Sequence, residues 1–322
     1  MRLATHLRPL LALAALLALA ACSKADRPEV VRLDYATYNP VGLLLKDKGF
    51  LEQALAGQGI RVEWTKSLGS NKALELLNSR SVDFGSTAGA AALIARANQN
   101  PIRAVYVYSR PEWTALVTGA DSGIQRLEDL KGKKIAVTRG TDPHIFLVRA
   151  LQSAGLTEKD IQPVLLQHPD GKTALLRGDV DAWAGLDPLM AAAEVESGAK
   201  LFYRKPESNT WGVLNTREAF AAENPEAVRR VNAVYEEARK WALANPAEFK
   251  ALIVKETKLP EAVVAKQLER TDLSNPVLNQ SVSDSILAAG LALQKAGVVK
   301  PEVDVKATVG ALIDTRFTPA AK

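Results

Sequence analysis

The chain holds 322 residues, 47% hydrophobic and 24% charged, the balance of an ordinary globular protein. That length exceeds what one hydrophobic core usually serves, so two lobes are expected. The formal charge of +5 includes Arg2 and Arg8 at the start of the chain, and no basic cluster suited to nucleic acid follows, which excludes a nucleic-acid partner.

Arg2 and Arg8 lead into the apolar run Leu10–Ala20, too short for a stable membrane span but of the right size for a secretory signal core. The run closes on Leu19-Ala20-Ala21-Cys22, which resembles the lipobox of bacterial lipoproteins. That resemblance implies cleavage after residue 21, lipidation of Cys22, and work outside the cytoplasm on a membrane-tethered chain. A plain cleaved signal with an incidental cysteine is the alternative. Residues 22–29, polar and containing Pro28, suit a tether. No other cysteine exists to pair with Cys22, so no disulfide is expected.

From Val30 the pattern alternates. Val31–Ala36 reads as strand, Gly42–Ala56 as helix, Ile60–Thr65 as strand, Ser70–Arg80 as helix, Val82–Gly85 as a short strand, Ala88–Gln99 as helix and Ile102–Tyr108 as a buried strand. A second round begins near Trp113–Thr118. Leu127–Gly132 is a helical turn, Lys134–Val137 strand, Asp142–Ala154 helix, Ile161–Leu166 strand, Lys172–Arg177 helix, Val180–Leu186 strand and Pro188–Glu196 helix. Lys200–Tyr203 and Trp211–Asn215 are expected strands around the loop Arg204–Asn209. Beyond Thr216 come helices only: Asn224–Ala244, Pro246–Glu256, Pro260–Arg270 and Val282–Ala296, expected on the outside of the first lobe.

The fold class is therefore α/β in two lobes, each a mostly parallel sheet flanked by helices. Lobe 1 takes residues 30–110 and 209–322, and lobe 2 takes 111–208. The chain crosses near Ser109–Glu112 and again near Pro206–Trp211, a two-stranded hinge with a cleft between the lobes.

Three segments carry a family resemblance: Val82-Asp83-Phe84-Gly85-Ser86-Thr87, Leu127-Glu128-Asp129-Leu130-Lys131-Gly132-Lys133-Lys134, and Gly178-Asp179-Val180-Asp181-Ala182-Trp183-Ala184-Gly185-Leu186-Asp187-Pro188. Together with Arg149-Ala150-Leu151 and Ile161-Gln162-Pro163, they resemble substrate-binding proteins of ABC importers, in particular the aliphatic-sulfonate group, whose cousins bind taurine, nitrate or pyrimidine precursors. The likeness spans about residues 30 to 317. It implies the two-lobed type II periplasmic-binding fold, a monomer that binds a small anion without changing it and needs no cofactor, and a permease with its ATPase as partners.

The residues support an anion site on their own terms. Asn39, Ser70 with Asn71, Ser86 with Thr87, and Thr141 with Asp142 all stand just before expected helices. Helix N-termini carry unpaired N–H groups and partial positive charge, and ligands of open α/β sheets sit where such turns gather. Each of these residues also reads as a simple N-cap. Tyr38, Trp113, Trp183 and Trp211 fall at strand ends or crossovers and could cover the alkyl part of a ligand. Asp187 before Pro188 reads equally as ligand contact or as cap.

Gly140-Thr141-Asp142-Pro143-His144 departs from the serine-rich turn of the sulfonate group. Asp142 adds negative charge and Pro143 has no N–H. Either the ligand carries an amine, or the anion sits wholly on the first lobe. An enzyme and a ligand sensor are the competing classes. Three scattered histidines give no metal spacing, and no Gly-x-Ser-x-Gly elbow occurs.

Overall fold

The computed structural model describes residues 28–318, so the signal segment, Cys22 and most of the tether lie outside the described residues. Two sheets divide the chain. The larger comprises β1 (Val30–Tyr35), β2 (Arg61–Lys66), β3 (Phe84–Ala88), β4 (Ile102–Pro111), β10 (Gly212–Arg217) and β11 (Thr271–Asp272), in the order β11-β4-β10-β3-β1-β2. The smaller comprises β5 (Leu116–Thr118), β6 (Lys134–Val137), β7 (Gln162–Leu165), β8 (Ala182–Ala184) and β9 (Lys200–Tyr203), in the order β7-β6-β8-β5-β9. This is the two-lobed α/β fold expected.

Each sheet is mostly parallel, as expected, with four of six strands in the larger and four of five in the smaller sharing one direction. β1 runs parallel to β2 and β3, and β6 parallel to β7 and β8, but β10 lies antiparallel between β3 and β4. β5 likewise runs antiparallel to β8 and β9. The cause is the second crossover: the chain returns from the smaller sheet into the middle of the larger one, against its direction. Gly212 opens β10 because any Cβ there would strike the ring of Tyr108.

Pairing with β10 also lengthens β3. Ser86 and Thr87 face Leu214 and Val213 across the ladder, so both belong to the strand and not to the turn after it. The expected helix Gly42–Ala56 is two helices, Pro40–Asp47 and Phe50–Ala56, broken at Gly49 with φ +63°. The helix expected over Lys172–Arg177 starts earlier, with His168-Pro169-Asp170 as the first turn of His168–Arg177, where proline needs no N–H partner. Helices Glu218–Glu223 and Val305–Leu312 were not anticipated.

One apolar core joins β1, β3, β4 and β10 to the helices Pro225–Ala244 and Gln280–Lys295. Two smaller clusters, around Phe146 and around Trp183, fill the layer about the second sheet. Ile145, Val148 and Leu186 belong to the large core although their elements border the small sheet, so the two lobes are pressed together. The helix Glu261–Glu269, expected on the outside of the first lobe, instead packs Val263 against Ala191 and Ala192 of the helix Leu189–Ser197. The crossovers are tied to each other: Glu112 accepts two 2.7 Å bonds from Arg204, and Thr114 N–H donates to Asn209 Oδ1 at 2.9 Å.

Candidate functional site

At the seam between the lobes lies a cavity of about 10 Å³, lined by Tyr38, Ser70, Trp113, Thr141, Asp142, Pro143 and Leu186. That is room for about one water molecule, far below the roughly 300–1,000 Å³ of drug-sized pockets. Five of these seven were expected site residues, drawn from both lobes and from the first crossover. Larger depressions, such as the one lined by Leu243, Pro246, Phe249 and Leu268, lie elsewhere on the surface.

Ser70 opens the helix Ser70–Asn78. Its hydroxyl oxygen accepts from Ala88 N–H at 3.0 Å, which leaves the hydroxyl proton to donate into the cavity. Thr141 precedes the helix Asp142–Ser153, and its own hydroxyl donates to Thr138 O at 2.7 Å. Two helix N-termini thus meet at one point with their partial positive charge, though in the second Pro143 has no N–H and His144 N–H already bonds Thr141 O at 3.1 Å. No lysine or arginine lines the cavity.

Tyr38 and Trp113 form the aromatic wall, edge to face with centroids 6.0 Å apart. Tyr38 donates to Ser86 O at 2.9 Å. Burial, reinforced by the nearby Asp34 carboxylate, raises its phenol far above the ordinary range, so it stays a neutral donor.

Asp142 has found its partners inside the protein. It accepts from Trp113 Nε1 at 2.8 Å, from Thr210 N–H at 2.9 Å and from Thr210 Oγ1 at 2.7 Å. Burial raises its pKa, and these three donors hold the rise in check. The carboxylate that was expected to face a ligand amine therefore already has its hydrogen bonds filled by neutral donors from both crossovers.

Several expected residues lie outside the cavity. Asn39 caps the helix Pro40–Asp47, accepting from Gly42 N–H at 3.0 Å. Ser86 spends its N–H (2.7 Å) and hydroxyl (3.0 Å) on Asp34. Thr87 donates to Ala88 O and accepts from Asn215 Nδ2 at 2.8 Å, within the sheet. Trp183 is fully buried in the second lobe's core. Asp187 accepts from Ala191 N–H at 2.9 Å and pairs with Arg270 at 3.4 Å. Trp211 lies in the large core with Arg110 over its ring. Asn71 stands next to Ser70, with its buried Oδ1 unpartnered.

The main omission was Asp34. It ends β1 buried among Ser67 and Ser86, with Ser67 Oγ donating at 2.6 Å, and burial pushes its pKa up to about 6. A carboxylate between Leu33 and Tyr35, on a strand that starts with two valines, was the available signal. His144, read as a packing residue, is buried with Nε2 3.2 Å from Glu158. Among the described residues no group of histidine, cysteine and carboxylate side chains could hold a metal.

Residues 43–249 match the family described as NMT1/THI5 like. A protein of Escherichia coli (strain K12) assigned by name to aliphatic-sulfonate binding is 31% identical over 263 residues, 80% of this chain and 82% of that one. The taurine-binding periplasmic protein of the same organism is 29% identical over 194 residues, 58% of this chain and 59% of the relative. Among solved structures, the alkanesulfonate-binding protein SsuA from Xanthomonas axonopodis pv. citri bound to MOPS superimposes with a TM-score of 0.81. That match covers 90% of this chain and 99% of that one at 24% identity, a likeness of fold. These relatives are named for binding, and the role of this chain is likewise binding. The chain belongs to the NMT1/THI5-like family, and relatives in it are named for binding aliphatic sulfonates.

Proposed function

We propose that the protein captures a small organic anion, an aliphatic sulfonate or a taurine-like compound, between its lobes and hands it to an ABC permease driven by a cytoplasmic ATPase. The observation that carries this reading is the seam cavity, where the Ser70 hydroxyl and two helix N-termini face the Tyr38–Trp113 wall without any cation. A sulfonate stays ionised at every working pH, so it needs donors and no proton acceptor. Backbone N–H groups and a hydroxyl supply them, and the rings cover the alkyl part. The relatives' names support the same chemistry. Ser70, Trp113, Thr141 and Tyr38 are the contacts; Ser86, Thr87 and Asp187 hold the frame behind them.

Lobe 1 (30–110 and 209–322) and lobe 2 (111–208) open about the crossovers, admit the solute and close on it. A few kcal/mol of preference for the closed form is enough to shift the population. The chain works outside the cytoplasm as a monomer, held to the membrane by lipid on Cys22. Titration calorimetry with ethanesulfonate, taurine, nitrate and a pyrimidine precursor tests the reading. Micromolar binding of a sulfonate with a smaller radius of gyration by X-ray scattering supports it. Binding of nitrate or the pyrimidine alone replaces the proposed substrate class, and binding of none removes it. Fractionation of wild type and Cys22→Ser tests the anchor, the variant leaving the membrane pellet.

A further inference from the structure

A groove of about 550 Å³ lies between the end of the helix Asp142–Ser153, on the second lobe, and the end of the helix Gln280–Lys295, on the first. Its volume falls within the roughly 300–1,000 Å³ of small-molecule sites. Both lobes build it: Val148, Gln152, Leu156 and Lys159 come from the second, Lys295 and Ala296 from the first. Gln152 Nε2 donates to Ala292 O across the boundary at 3.2 Å, so the two helices touch beside the groove.

The side chains give it an apolar floor and a cationic rim. Val148 belongs to the large core, and Leu156 packs on the cluster around Phe146. Lys159 and Lys295 stand exposed, one on each lobe, and neither makes an ion pair among the described residues. The single carboxylate in the lining, Glu158, is engaged by His144 Nε2 at 3.2 Å and by Arg139 at 3.9 Å. The His144 bond holds its pKa below the ordinary range. An anionic head on the rim therefore meets two uncommitted ammonium groups, while an apolar tail covers Val148 and Leu156.

The helix Asp142–Ser153 ties this groove to the seam. Asp142 lines the seam cavity and Gln152 the groove, about 15 Å apart at the rise of an α-helix. Between them, Arg149 Nη1 donates to Ser208 O, beside the second crossover, at 2.9 Å. A molecule that touches both lobes binds only the arrangement in which they are together. It therefore favours closure, and linkage makes the effect mutual with any solute that closes the lobes.

We propose that this groove is a second ligand site, for an amphipathic organic anion, and that its occupant raises affinity at the seam by holding the lobes closed. The site goes beyond the sulfonate reading; only the coupling draws on it.

Octanoate is the probe, with octanol supplying the tail alone and acetate the head alone. Calorimetry on the wild type should show octanoate binding at least tenfold tighter than either control. Lys159→Gln with Lys295→Gln removes both charges, and Ala296→Trp fills the groove from an exposed helix end; none of these positions lines the seam cavity. Each variant should weaken octanoate about tenfold or more, with ethanesulfonate affinity measured alone held within about twofold. Saturating octanoate should tighten ethanesulfonate binding to the wild type about fivefold, a gain that both variants lose. Octanoate that ethanesulfonate displaces, that binds the variants as it binds the wild type, or that does not bind at all overturns the site. Unchanged ethanesulfonate affinity under saturating octanoate removes the coupling. If ethanesulfonate itself does not bind, the sulfonate reading falls, while octanoate binding lost in both variants upholds the groove.

Discussion

Asp142 and Thr210 stand 68 positions apart, yet Asp142 takes both the hydroxyl proton (2.7 Å) and the N–H (2.9 Å) of Thr210. Asp142 begins a helix of the second lobe, and Thr210 lies in the crossover that returns to the first. Thr210 Oγ1 in turn accepts from Ala90 N–H at 3.2 Å, at the start of the helix Gly89–Ala97. Trp113, from the other crossover, completes the set at 2.8 Å. One carboxylate thus fastens both hinge strands to a helix of each lobe.

Asp142→Ala strands three buried donors at once. Stability should fall by about 3 kcal/mol, the sum of unmet hydrogen bonds at roughly 1 kcal/mol or more each. For a chain of this size that lowers Tm by roughly 6–12 °C. Differential scanning calorimetry reads the loss. Because Asp142 is saturated by the protein, the ratio of taurine to ethanesulfonate affinity should not change, and a changed ratio would place the amine at Asp142 after all.

Ser70 and Thr87 separate binding from framework. Ser70→Ala removes the hydroxyl that faces the cavity and should weaken sulfonate binding about tenfold. Thr87→Val removes a hydroxyl locked between Ala88 O and Asn215 Nδ2. It should cost about 1 kcal/mol of stability with affinity held within about twofold. Chemical denaturation and calorimetry on both variants check the pair. A large affinity loss in Thr87→Val would mean that the strand itself touches the solute.

What the chain reveals before folding divides along sequence distance. Strand–helix alternation, the crossovers and the capping at Asn39 follow from neighbours within a few residues, and these were legible. The insertion of β10 between β3 and β4 was not, because Gly212 shows its purpose only once the Tyr108 ring lies over it. Ser86 and Thr87 looked like turn residues for the same reason: their ladder partners are Leu214 and Val213. Asp142 looked like a charge in need of a ligand because Thr210 and Trp113 approach it only through the hinge. His168 fell outside the expected helix because burial by the opposite lobe leaves no local mark.

Stability should depend on pH through groups whose protonation shifts on folding. Burial, outweighing Arg270, pushes Asp187 up to about 7 from 3.8, so the folded state holds a proton that the unfolded chain has lost. Its contribution therefore grows as pH falls through 7. Asp34, up to about 6, adds in the same direction below it, whereas His168, held neutral by burial, opposes both below 6.5. Between pH 8 and 6.5 Asp187 acts nearly alone, and stability should rise by about 1 kcal/mol on acidification. Thermal melts across that window should show the rise in wild type and a flat line in Asp187→Asn.

Arg270 joins the lobes at the far side of the cleft. From the end of the helix Glu261–Glu269 it reaches Asp187 at 3.4 Å and Glu194 at 2.5 Å, with only 7% of its side chain exposed. Asp187 and Glu194 ride on the second lobe, so these contacts hold only while the lobes are together. Truncating one partner of a buried pair leaves the other charge uncompensated, at a cost of about 3 kcal/mol or more. Arg270→Met should therefore favour the open form, raise the sulfonate Kd at least tenfold and enlarge the radius of gyration of the free protein. The added Asp187→Asn change should restore part of the affinity, because the more deeply buried of the two carboxylates is then no longer stranded and Glu194 keeps Lys266 at 3.8 Å. X-ray scattering and calorimetry on the two variants decide it: a single variant as compact and as tight-binding as wild type would show that Arg270 braces the helix Leu189–Ser197 alone and takes no part in closure.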